Sequence, residues 1–175
     1  MVLIIGEGGP ADGDSLQLYT RGRRRIENVM RRPRPPAAML AARAAIEAAC
    51  PQARMRTLDS RYNCMGLLFA SRRTWIDPDQ FFLIAEDDAL RQLPRDTAPL
   101  PGDIAAYFAG GGPHAELIHV ALVVGWTGPG HSTVDPELLS QFGADGEYFH
   151  HPSEIPSFLA RPPLTVVYYT DRTNG

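Results

Sequence analysis

Ile118-His119-Val120-Ala121-Leu122-Val123-Val124-Gly125 is the stretch on which the reading of this chain turns. It is an apolar run with a single histidine near its head, and it reads as a strand from Ile118 to Trp126. Its neighbours share the pattern. After Pro94 the apolar period changes from about 3.6 to about 2, and Ile104–Phe108, Leu138–Phe142, Glu147–His151 and Leu164–Thr170 read as further short strands between Gly, Pro and Asp turns.

Upstream, the period is helical. Ala37–Ala49 is an Ala-rich helix with Met39, Leu40, Ala44 and Ile46 as its apolar positions and Pro51 as its stop. Gln52–Arg61 reads as a loop or short strand. Helical spacing returns over Cys64–Ala70. Pro78 suits the first turn of another helix with Asp77 as N-cap, whose inner face of Phe82, Ile84 or Ala85, Ala89 and Leu93 runs up to Pro94. Helices first and an antiparallel sheet of about five strands afterwards is the α+β class. Residues 1–36 read as a poorly organised arm, Gly-rich from Gly6 to Gly13 and with seven arginines between Arg21 and Arg34, and residues 37–175 as the folded domain. Gly6-x-Gly8 lacks the remaining glycine of a dinucleotide loop.

Composition bounds the function. A chain of 175 residues, 44% hydrophobic and 21% charged, buries a core without staples. The net charge of −3 argues against general nucleic-acid binding. All 17 basic residues are Arg, so an arginine here carries no implied preference over lysine for phosphate. Cys50 and Cys64 are too few for a disulfide framework and lack zinc-ligand spacing, so neither a metal nor a cofactor is expected. No window is long enough and apolar enough for a membrane helix. The apolar start Met1–Ile5 lacks the pattern of a signal peptide, so the expected location is cytoplasmic, or outside the cell by a route without a cleaved signal.

Cys64 opens a short apolar helix, and His119 comes on a later strand. That arrangement favours a thiolate, because a helix N-terminus stabilises negative charge and an imidazole takes the proton. The backbone N–H of Cys64 is then a candidate oxyanion donor. A third residue should orient the imidazole through its second nitrogen. Gln141 is the first candidate, with His150 and Ser140 as alternatives. Side chains alternate along a strand, so Ser140 and Gln141 face opposite ways. His114 and His131 sit in Gly/Pro turns and read as loop residues. Asp103 reads as a turn former, and Trp75 and Trp126 as cleft or core residues.

The spaced set Asn63-Cys64-x-Gly66, Leu100-Pro101-Gly102-Asp103-Ile104 and Ile118–Gly125 resembles the papain-like superfamily of bacterial NlpC-type and CHAP-type amidases. The chain is most similar to an uncharacterised bacterial branch with an Asn-Cys helix and a Ser-Lys-Trp-Gly segment before a His-bearing strand. Here that segment is Ser140-Gln141-Phe142-Gly143, followed by His150-His151-Pro152. The resemblance covers roughly residues 60–170. It implies a papain-like fold and a cysteine peptidase or amidase acting on a peptide-like or acyl substrate, with Cys64 as nucleophile and His119 as base. The other reading is a catalytically idle module that binds a protein partner, with Arg21–Arg34 as its contact arm.

Overall fold

Seven antiparallel strands in one sheet dominate the computed structural model, in which residues 3–4, 13–110, 115–126, 136–159 and 162–172 are described. The order is β5 (Arg54–Thr57), β11 (Glu147–His150), β10 (Pro136–Gln141), β9 (Glu116–Trp126), β8 (Ile104–Ala109), β12 (Leu164–Thr170) and β7 (Arg91–Gln92). The five strands read from alternation are β8 to β12. The fold class read with them is not the observed one. The molecule is mostly sheet, with three short helices among the described residues, α1 (Pro36–Ala49), α2 (Cys64–Phe69) and α3 (Gln80–Asp87), so the papain-like arrangement of helices followed by a five-stranded sheet is overturned.

β5 falls within Gln52–Arg61, read as a loop or short strand, and the strands that escaped the reading are only two or three residues long. β5 and β7 close the two edges of the large sheet, where one side of the backbone is unpaired. Arg54 and Arg56 on β5 and Arg91 on β7 keep those edges charged, which discourages pairing with another chain and erases the apolar alternation that reveals central strands. β7 occupies what was expected to be the end of a long helix. α3 stops at Asp87 because Ala89 takes a left-handed conformation (φ 56°), and Leu93 then donates its N–H to the Tyr168 carbonyl. The helix also starts later than Pro78, so its inner face is Phe81, Ile84 and Ala85, with Phe82 exposed.

The segment 13–36, expected as a loosely organised arm, supplies Leu16, Leu18 and Ile26 to the core. A three-stranded sheet joins β1 (Leu3–Ile4), β2 (Gln17–Tyr19) and β3 (Arg25–Ile26), and β4 (Asn28–Val29) pairs with β6 (Trp75–Ile76). Arg24 clamps this segment to α3 through Asp87 at 2.6 Å and Glu86 at 2.8 Å. The glycine-rich stretch before Gly13, His114 and His131 lie outside the described residues.

Both faces of the large sheet are covered. Val120, Ala106, Ile104 and Phe108 pack under α2, α3 and the first segment. Ala105, Tyr107, Ala121, Val123, Leu138, Phe142 and Tyr148 pack on the other side with Ile46 of α1 and Ile155. α2 lies unusually close to β6. A Cβ on Gly66 would stand 1.8 Å from the carbonyl oxygen of Thr74, so only glycine permits this approach.

Candidate active site

Asn63 builds the start of α2. Its backbone is extended, and its side-chain oxygen accepts from the Gly66 N–H at 2.9 Å, which is an N-cap bond. The same oxygen accepts from the Ile76 N–H at 3.2 Å, and the amide nitrogen donates to the Ile76 carbonyl at 2.7 Å. One side chain therefore caps the helix and fastens it to β6. A second fastening comes from Glu147 on β11, whose buried carboxylate accepts from Tyr62 just before the helix, from Arg72 just after it, and from Arg56. Burial works to raise this carboxyl, but the bonds from Arg72, Tyr62 and Arg56 prevail and hold it below the usual carboxylate range.

Between these anchors Cys64 is the first helical residue and is 6% exposed. Burial pushes its thiol up to about 11, against the opposing pull of the Val120, Met65 and Cys64 backbone N–H groups. Cys50 is also free and buried, and burial raises its thiol as well, with Glu154 adding to the effect.

His119 lies on β9 beside an irregularity, where the register against β8 shifts between Tyr107 and Phe108. The ring is 1% exposed and sits 5.4 Å from Tyr107 and 5.9 Å from Phe142, both members of the core on the α1 side. Alternation agrees: His119 shares its face with Ala121 and Val123, whereas Val120 faces Cys64. Among the described residues, neither ring nitrogen of His119 has a hydrogen-bond partner. Burial, and then the neighbouring His150, lowers its pKa to about 3, so the ring is neutral at pH 7.

Cys64 and His119 both line a cavity of about 490 Å³. Its walls combine Asn63, Trp75 and Ile76 from the α2 side with Ile118, Gly143 and Leu159, so it wraps the end of the sheet where β9 begins and β10 finishes. The two side chains come from opposite faces of the sheet, and among the described residues no hydrogen bond joins them. At neutral pH the thiol is protonated and the imidazole neutral.

None of the three candidates for the orienting position bonds to His119. Gln141 sits on the α2 face and donates to the carbonyls of Asp59 at 2.7 Å and Gly143 at 3.3 Å, holding the chain before α2, while its buried carbonyl oxygen has no partner among the described residues. Ser140 and His150, read as alternatives, bond to each other. The His150 Nδ1 lies 2.8 Å from the His151 carbonyl, which can only accept, so Nδ1 carries the proton and Nε2 accepts from the Ser140 hydroxyl at 2.8 Å. Burial lowers His150 to about 4 and keeps it neutral. Ser140 and Gln141 do face opposite ways, yet both are fully buried because both faces of the sheet are covered.

The other singled-out residues have plain roles. Asp103 accepts from the Leu100 N–H at 2.7 Å in its turn and pairs with Arg172 at 2.5 Å. Trp75 forms part of the cavity wall. Val29 and Arg31 also line it, and these went unnoticed because Arg31 looked like one member of a solvated arginine run. Among the described residues no group of three His, Cys, Asp or Glu side chains could hold a metal ion, and no helix is long and apolar enough to cross a membrane. Comparison with known proteins adds no relative to this geometry, since no protein-family model, no curated protein and no solved structure matches the chain.

Proposed function

We propose that the chain is a thiol hydrolase, a peptidase or amidase acting on an amide or ester through Cys64 and His119. The observation that carries the reading is the shared cavity that Cys64 and His119 both line, together with an imidazole whose two buried nitrogens have no partner among the described residues. At pH 7 His119 is neutral and has a lone pair for the Cys64 proton, although burial makes it a weak base and the thiol a weak acid, so the transfer has to be coupled to attack on a bound carbonyl. His119 accepts the Cys64 proton as sulfur attacks the substrate carbonyl, forming an S–C bond and a tetrahedral oxyanion. Backbone N–H groups of Cys64 and Val120 are the candidate donors to that oxygen. Collapse expels the amine or alcohol, which leaves with the proton held on His119. Water, deprotonated by the same ring, then cleaves the thioester and restores the thiol. The likeness of the Asn-Cys, Pro-Gly-Asp and His-strand motifs to NlpC-type and CHAP-type amidases supports the same chemistry, and kinship with them belongs to this proposal.

Cys64→Ala and His119→Ala, assayed against a panel of p-nitrophenyl esters and acyl amides, test it. Each should abolish turnover, and the double variant should lose about as much as either single one, because nucleophile and base act as a unit. Full activity in Cys64→Ala refutes the mechanism. The missing hydrogen bond between the two side chains favours a second reading, an idle module that binds a protein partner, and uniform inactivity of the wild type across the panel would support it.

A further inference from the structure

We infer that the cavity takes a substrate bearing a carboxylate, held by Arg31 while its carbonyl sits at Cys64. This rests on the thiol-hydrolase reading and names its substrate class. The Arg31 guanidinium lies over the Trp75 ring, with Cζ 3.8 Å from the centroid, and both residues line the same cavity as Cys64 and His119. Stacking occupies a face of the guanidinium and leaves its N–H groups, which lie in the plane, free to bond a carboxylate two at a time. The stack also fixes a side chain that would otherwise lose much rotamer freedom on binding.

Among the described residues no carboxylate pairs with Arg31, in contrast to Arg24, Arg34, Arg54, Arg56, Arg61, Arg72 and Arg172, each of which does have an acidic partner. A second observation points independently to a ligand in this space. His119 lines the cavity, is 1% exposed, and has two buried ring nitrogens that no described residue satisfies. Two acids share the lining. Asp77 accepts from the Asp79 N–H at 3.3 Å in its own turn, and Glu27 is exposed. The lining is therefore not a general anion trap, and an anionic group is recognised by direct contact with Arg31 rather than by the field of the cavity.

Thiol-directed reagents built on the same ethyl stem separate this inference from the reading beneath it. Cys64 of the full chain is treated at pH 7.5 with 2-carboxyethyl, ethyl and 2-(trimethylammonium)ethyl methanethiosulfonate, and modification is followed by peptide mass spectrometry, each rate divided by that of N-acetylcysteine. The carboxyethyl reagent should lead the ethyl one by about tenfold at Cys64, the size expected of one charge-assisted pair. Arg31→Gln should remove the lead, and Arg31→Lys should keep part of it, since a point charge replaces the two-pronged donor. Equal corrected rates for the carboxyethyl and ethyl reagents, or a lead by the cationic reagent, overturn the carboxylate site and leave the nucleophile standing. A Cys64 that reacts with none of the three in the folded chain, yet with all of them in urea, overturns both.

Discussion

Replacing Glu147 by Gln tests how the helix carrying Cys64 is held. The carboxylate is fully buried and takes bonds from Tyr62 at 2.6 Å, from Arg56 at 2.5 Å and from Arg72, so it joins both flanks of α2 to β11. Gln keeps the shape and can still accept from Tyr62, but it places an amide N–H₂ against arginine donors. Breaking a buried ion pair costs about 3–5 kcal/mol. Arg56 and Arg72 are 41% and 40% exposed and can turn to water, which reduces the expected loss to about 2 kcal/mol. For a chain of this size that is a fall in Tm of about 4–8 °C. The pH dependence adds a sharper signature. The folded carboxyl titrates below its unfolded value, so its stabilisation is present above the unfolded pKa of about 4.3 and disappears as pH falls through the folded pKa. Urea unfolding of wild type and Glu147→Gln should therefore differ at pH 7 and converge in acid. A gap that is already absent at pH 7, or that persists unchanged to pH 2.5, refutes the role given to this carboxylate.

Two further outcomes are expected. Gly66→Ala should cost more than about 3 kcal/mol, because its Cβ falls 1.8 Å from the Thr74 carbonyl and α2 must back away from β6; a melting temperature within about 3 °C of wild type would mean the two are not so close. His119 and His150 are both held neutral by burial, so the unfolded chain binds their protons first as pH falls. Stability should be complete above about pH 6.5 and drop by about 1.4 kcal/mol per pH unit per histidine down to about pH 4, and Ser140→Ala/His150→Phe together should lessen that slope. An unchanged slope in that variant, measured by urea unfolding across pH 4–7, counts against a neutral His150.

What could be read from residues alone was governed by how strongly burial imprints on a segment. α1 and α2 carry helical spacing, and β8 to β12 are covered on at least one face, so their apolar residues repeat visibly. Edge strands β5 and β7 present arginines to water, so β5 reads only as a loop or short strand and β7 leaves no such trace. The pieces between Gln17 and Val29 are two or three residues long, shorter than any periodicity can resolve, and their order comes from long-range partners: Asn28 bonds to Leu16 and Thr74, and Arg24 to Asp87. Cys64 and His119, singled out from the sequence, line one cavity, but spacing does not show that they come from opposite faces of the sheet. The partners of the three candidates for an orienting residue were not legible either. Choosing among Ser140, Gln141 and His150 depends on which face each strand residue takes and on what it meets there, and the Ser140–His150 bond is a cross-strand contact that spacing along the chain does not encode.

The double attachment of Asn63 to helix and strand has a kinetic consequence. β6 is held on its other side by β4, so the wall of the cavity that includes Val29, Arg31 and Trp75 is assembled from residues more than forty positions apart, and the opposite wall at His119 and Gly143 is as distant again. Such contacts form only after large loops have closed, which places the cavity among the last parts of the molecule to be completed during refolding. Recovery of selective Cys64 labelling should therefore lag behind recovery of sheet signal, and a fragment beginning at residue 37 would refold, if at all, with one wall of its cavity missing.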